Sequence, residues 1–263
     1  MFYLWRDTIN FFETSLLGIL QGLTEFLPVS SSAHLAILQH LFHINDPNLL
    51  FILTLHIGTV IAVCLVFYKE IIRILCSYRA CLLIIAASIP TAIIGFILEE
   101  KIEKDFISMQ SVGIELILNG FILFLTKFKK PRVLSSEKVI FSDITGFKAF
   151  LIGIAQGIAI FPGISRSGST IALALFLNID RSNAGTFSFI ISIPAIVGAF
   201  LLKIYKTPEF SISQFSPFLS GFTFSLIIGI LSLIFLMKVI KKGEFHRFSY
   251  YCFLIGIYAL FLK

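Results

Sequence analysis

Six apolar runs, at about 47–68, 80–98, 108–126, 183–205, 217–237 and 247–262, decide what this chain folds into. Each is close to the roughly 20 residues that a helix needs to cross a bilayer core. Of 263 residues, 57% are hydrophobic and only 14% are charged, whereas a water-soluble domain is nearer a quarter charged. The expected class is an all-α polytopic membrane protein, with residues 1–263 forming a single membrane domain in contact with lipid. The net charge of +6 does not point to nucleic acid. The basic residues sit in short connections between spans, as the positive-inside rule produces. Cys64, Cys76, Cys81 and Cys252 form no CxxC pair and read as small buried hydrophobes, not as metal ligands or a disulfide frame. Residues 1–13 carry Arg6, Asp7 and Glu13, and no small-residue cleavage site follows, so no removable signal peptide is expected.

Two further stretches, at about 8–42 and 144–179, are apolar but broken by centres rich in Gly, Pro and Ser. Irregular backbone at membrane depth is tolerated only where protein or a wet cavity surrounds it. Both stretches are therefore expected to be re-entrant helix–loop–helix hairpins. Basic residues dominate the connections 69–79, 127–148 and 238–247, while Glu99, Glu100, Glu103 and Asp105 outweigh Lys101 and Lys104 in 99–105. Positive-side-in places the first three in the cytoplasm and, with six crossings, both termini outside.

The interrupted stretches resemble each other. Gly18-Ile19-Leu20-Gln21-Gly22 matches Gly153-Ile154-Ala155-Gln156-Gly157, and Phe26-Leu27-Pro28-Val29-Ser30 matches Phe161-Pro162-Gly163-Ile164-Ser165 with one residue deleted. Phe51 to Lys69 loosely matches Phe187 to Lys206. The chain thus divides into repeat one, 1–130, and repeat two, 140–263, each a hairpin followed by three spans. An odd number of spans inverts one half relative to the other, which is a transporter architecture with its site at the broken helices.

Each broken centre carries chemistry. In the first, Gln21 and Glu25 are four apart and share a helix face. Pro28 ends that helix. Ser30, Ser31 and Ser32 follow, one of them suited to cap the next helix, and His34 lies in its first turn. An ionisable group inside an apolar segment defaults to a functional reading, so Glu25, the serines and His34 are candidates. In the second, Arg166 stands among Ser165, Ser167, Gly168 and Thr170. A guanidinium offers planar hydrogen bonding to phosphate, and the helix that follows points N–H groups at an anion. Together they suggest phosphoryl chemistry at a membrane, which needs a nucleophile, charge neutralisation and an acid for the leaving group.

These motifs carry a resemblance. Residues 21–31, with His34, and the run Pro162-Gly163-Ile164-Ser165-Arg166-Ser167-Gly168-Ser169-Thr170 resemble the two signatures of the undecaprenyl-diphosphatase family, also called the bacitracin-resistance proteins. The resemblance covers nearly the whole chain. It implies hydrolysis of undecaprenyl diphosphate to the monophosphate and phosphate, recycling the lipid carrier for peptidoglycan. It also implies a bacterial inner-membrane location, a site open to the periplasm and a divalent cation, Mg or Ca, with Glu25 as its ligand. A homodimer is left open. Carried over by position, Glu25, Ser31, His34 and Arg166 are catalytic, while Gln21, Ser30, Ser165, Ser167, Gly168 and Thr170 bind substrate. Position 21 is Gln where many members have Glu, Ser32-Ala33 replaces a common Thr-Gly, and His56 stands where Gln is common. Glu115, one turn from Asn119 inside a span, has no family role. Several routes stay open: attack by Ser31 with Glu25 or His34 as base, by His34 itself, or by water that Glu25 activates. The competing class is a lipid-carrier transporter or flippase.

Overall fold

The computed structural model describes residues 11–41, 49–105, 108–129, 140–206 and 215–262, and every α or 3-10 element among them is helical. Residues 1–10, 42–48, 106–107, 130–139, 207–214 and 263, which fall within the expected repeats and segments, lie outside the described residues. The first hairpin is α1 (Phe11–Thr24) and α2 (Ser31–Leu41). After it come α3 (Leu49–Val66), α4 (Tyr68–Leu75), α5 (Tyr78–Asp105) and α6 (Met109–Leu125). The second hairpin is α7 (Gly146–Ile158) and α8 (Arg166–Phe176), followed by α9 (Arg181–Lys206), α10 (Phe215–Lys242) and α11 (Phe248–Phe261).

Among the described residues, four helices are long and apolar enough to cross a membrane, within α5, α6, α9 and α10. A fifth span requires α3 and α4 together, and they meet at a bend of 77°. The expected spans thus need three corrections. Residues 69–79 are not a plain connection: α4 turns off sharply and leaves Tyr68, Ile72 and Leu75 exposed. The span at 80–98 runs on to Asp105, because its Glu and Lys residues are good helix formers. The run at 247–262 yields a helix of only 14 residues, about 21 Å at 1.5 Å per residue and short of a full ~30 Å crossing. A 3-10 turn, Phe245–Arg247, precedes it. The cysteines are free, but only Cys252 is buried; Cys76, at the end of α4, is exposed.

Helix α1 packs along α10, α7 along α5, and α6 along α11. The first two pairings are reciprocal: each hairpin lies on a span of the opposite half. Glycine makes them possible. A Cβ on Gly18 would sit 2.5 Å from the carbonyl oxygen of Gly221, and one on Gly153 would sit 2.0 Å from that of Ala87. Both approaches are backbone to backbone, so any side chain there forces the helices apart. The repeated Gly-x-x-Gln-Gly thus has a packing cause. One cluster of apolar side chains, including Phe26, Val63, Ile152, Phe187 and Leu233, runs through both halves. The Phe26 ring meets Phe189 edge-on at 5.6 Å, fixing the first broken centre against α9.

Candidate active site

Both hairpins break in the same manner. Ser30 is the N-cap of α2: its Oγ accepts from the Ala33 N–H at 3.3 Å, and its carbonyl accepts from the His34 N–H. Ser165 is the N-cap of α8, its Oγ accepting from the Gly168 N–H at 3.1 Å. The two caps keep the spacing set by Gly18 and Gly153, so the repeat needs no deletion between them. Ser30 adopts φ 65°, a left-handed conformation that costs a non-glycine residue about 1–2 kcal/mol. Its hydroxyl donates across the repeat to the Pro162 carbonyl.

The first residue of each second helix, Ser31 and Arg166, reaches the same carboxylate. Ser31 Oγ donates to Glu25 Oε2 at 2.8 Å. Arg166 Nη2 donates to Glu25 Oε1 as a tight ion pair. Gln21 Nε2 donates to Oε2 at 2.8 Å, as its place one turn earlier on α1 predicts. Its second hydrogen reaches His56 Nδ1 at 2.9 Å, an orientation assigned from this network. Glu25 and Arg166 expose 4% and 19% of their side chains, so the pair is held largely away from water. Arg166 Nη1 is buried and has no hydrogen-bond partner among the described residues. That leaves a desolvated N–H₂ group on the guanidinium that meets Glu25, while Ser31 on the other oxygen of the carboxylate is half-buried.

His34 lies elsewhere in the network. Its Nδ1 is 2.8 Å from the Ser30 carbonyl, which only accepts, so Nδ1 carries the hydrogen. Nε2 then accepts from the Tyr251 hydroxyl at 2.8 Å. Of the two bases left open for Ser31, Glu25 touches it, and the polar bonds of His34 go to Ser30 and Tyr251. Several residues expected to face substrate are turned into the protein. Ser30 is used as cap and tie, and Ser165 Oγ pairs with Ser167 Oγ at 3.1 Å. Ser167 also donates weakly to the Leu27 carbonyl at 3.4 Å. Thr170, fully buried, donates to the Arg166 carbonyl at 2.8 Å and meets Ser188. Gly168 gives room: a Cβ there would sit 2.9 Å from Asn119 Oδ1. The hydroxyls expected as a phosphate cradle therefore shape the frame that holds Arg166.

Two residues with no expected role join this frame. On α6, Glu115 Oε2 accepts from the Gly163 N–H at 2.6 Å, and Asn119 Oδ1 accepts from the Ser165 N–H at 3.3 Å. Asn119 Nδ2 donates to the Pro28 carbonyl at 2.9 Å.

The donor set around Glu25 does not fit a divalent cation held by the protein. Both its oxygens are taken by donors, one of them cationic. Among the described residues no group of three or more His, Cys, Asp or Glu is placed to hold a metal ion.

The sequence profile of the family described as bacitracin resistance protein BacA matches residues 14–258. The chain is 40% identical over 261 residues to an undecaprenyl-diphosphatase of Carboxydothermus hydrogenoformans, covering 97% of this chain and 98% of that protein. It is 38% identical over 275 residues to one of Desulforapulum autotrophicum, covering 96% and 98% respectively. A relative of the same description from Methanosphaera stadtmanae is 37% identical over 279 residues, covering 97% and 99%.

Proposed function

The chain belongs to the bacitracin resistance protein BacA family, and on that premise we propose that it is an undecaprenyl-diphosphatase, as its curated relatives are described. It is a membrane hydrolase that converts undecaprenyl diphosphate to undecaprenyl phosphate and phosphate. The lipid carrier so recycled serves peptidoglycan synthesis, and its turnover underlies bacitracin resistance. We place the chain in the bacterial inner membrane with the site open to the periplasm, as the family resemblance implies. The observation that carries the reading is the convergence of Ser31 and Arg166, one from each hairpin, on Glu25.

Chemistry follows from that convergence. The terminal phosphate of the substrate engages the unpartnered Nη1 of Arg166, where a desolvated guanidinium binds an anion strongly. The guanidinium is thereby drawn from Glu25 toward phosphate, and the carboxylate loses the charge that made it a weak base. Ser31 Oγ attacks the terminal phosphorus as its proton passes to Glu25 Oε2. The P–O bond to the prenyl monophosphate breaks, and the electron pair leaves with that oxygen. Glu25 gives its first proton to solvent, then takes a proton from the water that attacks the phosphoserine; the P–Oγ bond breaks, phosphate is released, and the proton passes from Glu25 back to the departing Ser31 Oγ. Arg166 holds the charge that builds on the phosphoryl oxygens, where a fixed donor is worth most.

Purified protein in detergent is expected to release phosphate from a prenyl diphosphate, with the prenyl monophosphate as co-product. A transporter of the lipid carrier would release none. Acid quenching during turnover is expected to trap phosphate on Ser31. A phosphohistidine at His34, or no phosphoenzyme with phosphate release intact, would replace serine attack by one of the other routes.

A further inference from the structure

Within α6, an apolar span, Glu115 and Asn119 lie one turn apart on one face, and both are buried, at 6% and 0% exposure. Polar groups at such depth are costly unless fully paired, so what they bond to matters. Asn119 bonds both broken centres through one amide. Its Nδ2 donates to the Pro28 carbonyl in the first loop at 2.9 Å, and its Oδ1 accepts from the Ser165 N–H in the second at 3.3 Å. Glu115 Oε2 takes the Gly163 N–H of the second loop at 2.6 Å. Pro28 lies three residues before Ser31 and Ser165 lies immediately before Arg166. Beside the Ser30–Pro162 and Ser167–Leu27 bonds, a single planar group thus bonds both backbones that present Ser31 and Arg166.

We propose that Asn119, supported by Glu115, is a positioning residue that sets the register of the Ser31 loop against the Arg166 loop. The amide is suited to this because it offers one donor and one acceptor in a fixed plane. The carboxylate of Glu115 acts as an acceptor for Gly163, not as a base or a metal ligand. A misplacement of about 1 Å between reacting groups costs on the order of 100-fold in rate. The loss belongs to the chemical step, since Arg166 itself remains able to hold phosphate.

The inference rests on the phosphatase reading, and one experiment separates the two. Phosphate release from a prenyl diphosphate is measured for wild type, Asn119→Asp, Glu115→Gln and Glu115→Ala, with thermal unfolding in detergent recorded for each. Asn119→Asp keeps the acceptor for Ser165 and loses the donor to Pro28. It is expected to lower kcat about 100-fold with KM within about threefold of wild type. Glu115→Gln keeps an acceptor for Gly163 and is expected to rescue most of the rate lost in Glu115→Ala, about tenfold by the same argument. Should Asn119→Asp fail to fold, the contrast between the two Glu115 variants decides. Wild-type kcat in a folded Asn119→Asp, a loss confined to KM, or Glu115→Gln as impaired as Glu115→Ala would overturn the assignment. Absence of phosphate release by wild type would instead overturn the phosphatase reading.

Discussion

The two hairpins are built alike and equipped differently. In each, a glycine-faced first helix lies on a span of the other half, a glutamine follows three residues after the first glycine, and a serine caps the second helix. The residues that then differ are those to which the proposed mechanism assigns the chemistry. Glu25 in the first hairpin corresponds to Ile160 in the second, Ser31 to Arg166, and His34 to Ser169. Even the shared glutamine is used differently. Gln21 serves Glu25 and His56, whereas Gln156 donates to Thr91 Oγ1 at 3.2 Å and to the Ile191 carbonyl at 3.3 Å. A frame kept twice and a chemistry divided between the copies is how one site is made at a repeat interface. Neither hairpin alone holds both the proposed nucleophile, Ser31, and Arg166.

The comparison is broken most severely at Arg166. Arg166→Ala removes the second hairpin's contribution and leaves Glu25 buried without its cation. Turnover is expected to fall by about 1,000-fold or more, and unfolding in detergent to shift down, since an unpaired buried charge costs about 3 kcal/mol. Near-normal phosphate release from this variant would remove Arg166 from the reaction. Next comes Ser31→Ala, expected to lower kcat by at least about 100-fold as the loss of a nucleophile held against its base. A loss of only a few-fold, with turnover otherwise intact, would give the attack to water and leave Ser31 a binding group.

A pair of glutamine variants sharpens the difference between the copies. Gln21→Ala is expected to lower kcat about tenfold through the placement of Glu25. Gln156→Ala is expected to leave kcat unchanged and to lower the unfolding temperature, by the roughly 1 kcal/mol of a buried hydrogen bond. Equal losses of rate in both would mean that the second glutamine also serves the reaction. The smallest effect is expected at Tyr251, whose hydroxyl caps His34 Nε2 from outside the Ser31–Glu25 contact. Tyr251→Phe is expected to change kcat by no more than about threefold, the scale of one neutral hydrogen bond. A loss of 100-fold would return His34 to the chemical step.

Much of this was legible in the chain itself, for physical reasons. Apolar runs near 20 residues announce spans, and the Gly, Pro and Ser centres announce breaks. The Gln21–Glu25 contact follows from helix periodicity alone. The division of labour between Ser30 and Ser31 does not, because it depends on the positive φ at Ser30 and on where Pro162 lies. Ser165, Ser167 and Thr170 have the composition of an anion cradle, yet a hydroxyl serves a cap or a backbone carbonyl equally well, and here their bonds go to the protein. Asn119 and Tyr251 were beyond reach: their partners lie 91 and 217 residues away, set only by how the halves pack. The signal that pointed toward Asn119 and Glu115 was their polarity inside an apolar span. The bend after Val66 and the short α11 were likewise hidden, since both runs are apolar enough to read as straight crossings.

The central claim, one site shared by two hairpins, is tested most directly by a double-mutant cycle on kcat/KM for phosphate release. Ser31→Ala, Arg166→Ala and the double variant are compared with wild type. Groups that act together on one phosphorus are strongly non-additive. The double variant is therefore expected to fall no more than about tenfold below the worse single variant. Losses that multiply in full would place Ser31 and Arg166 in separate events and contradict the account.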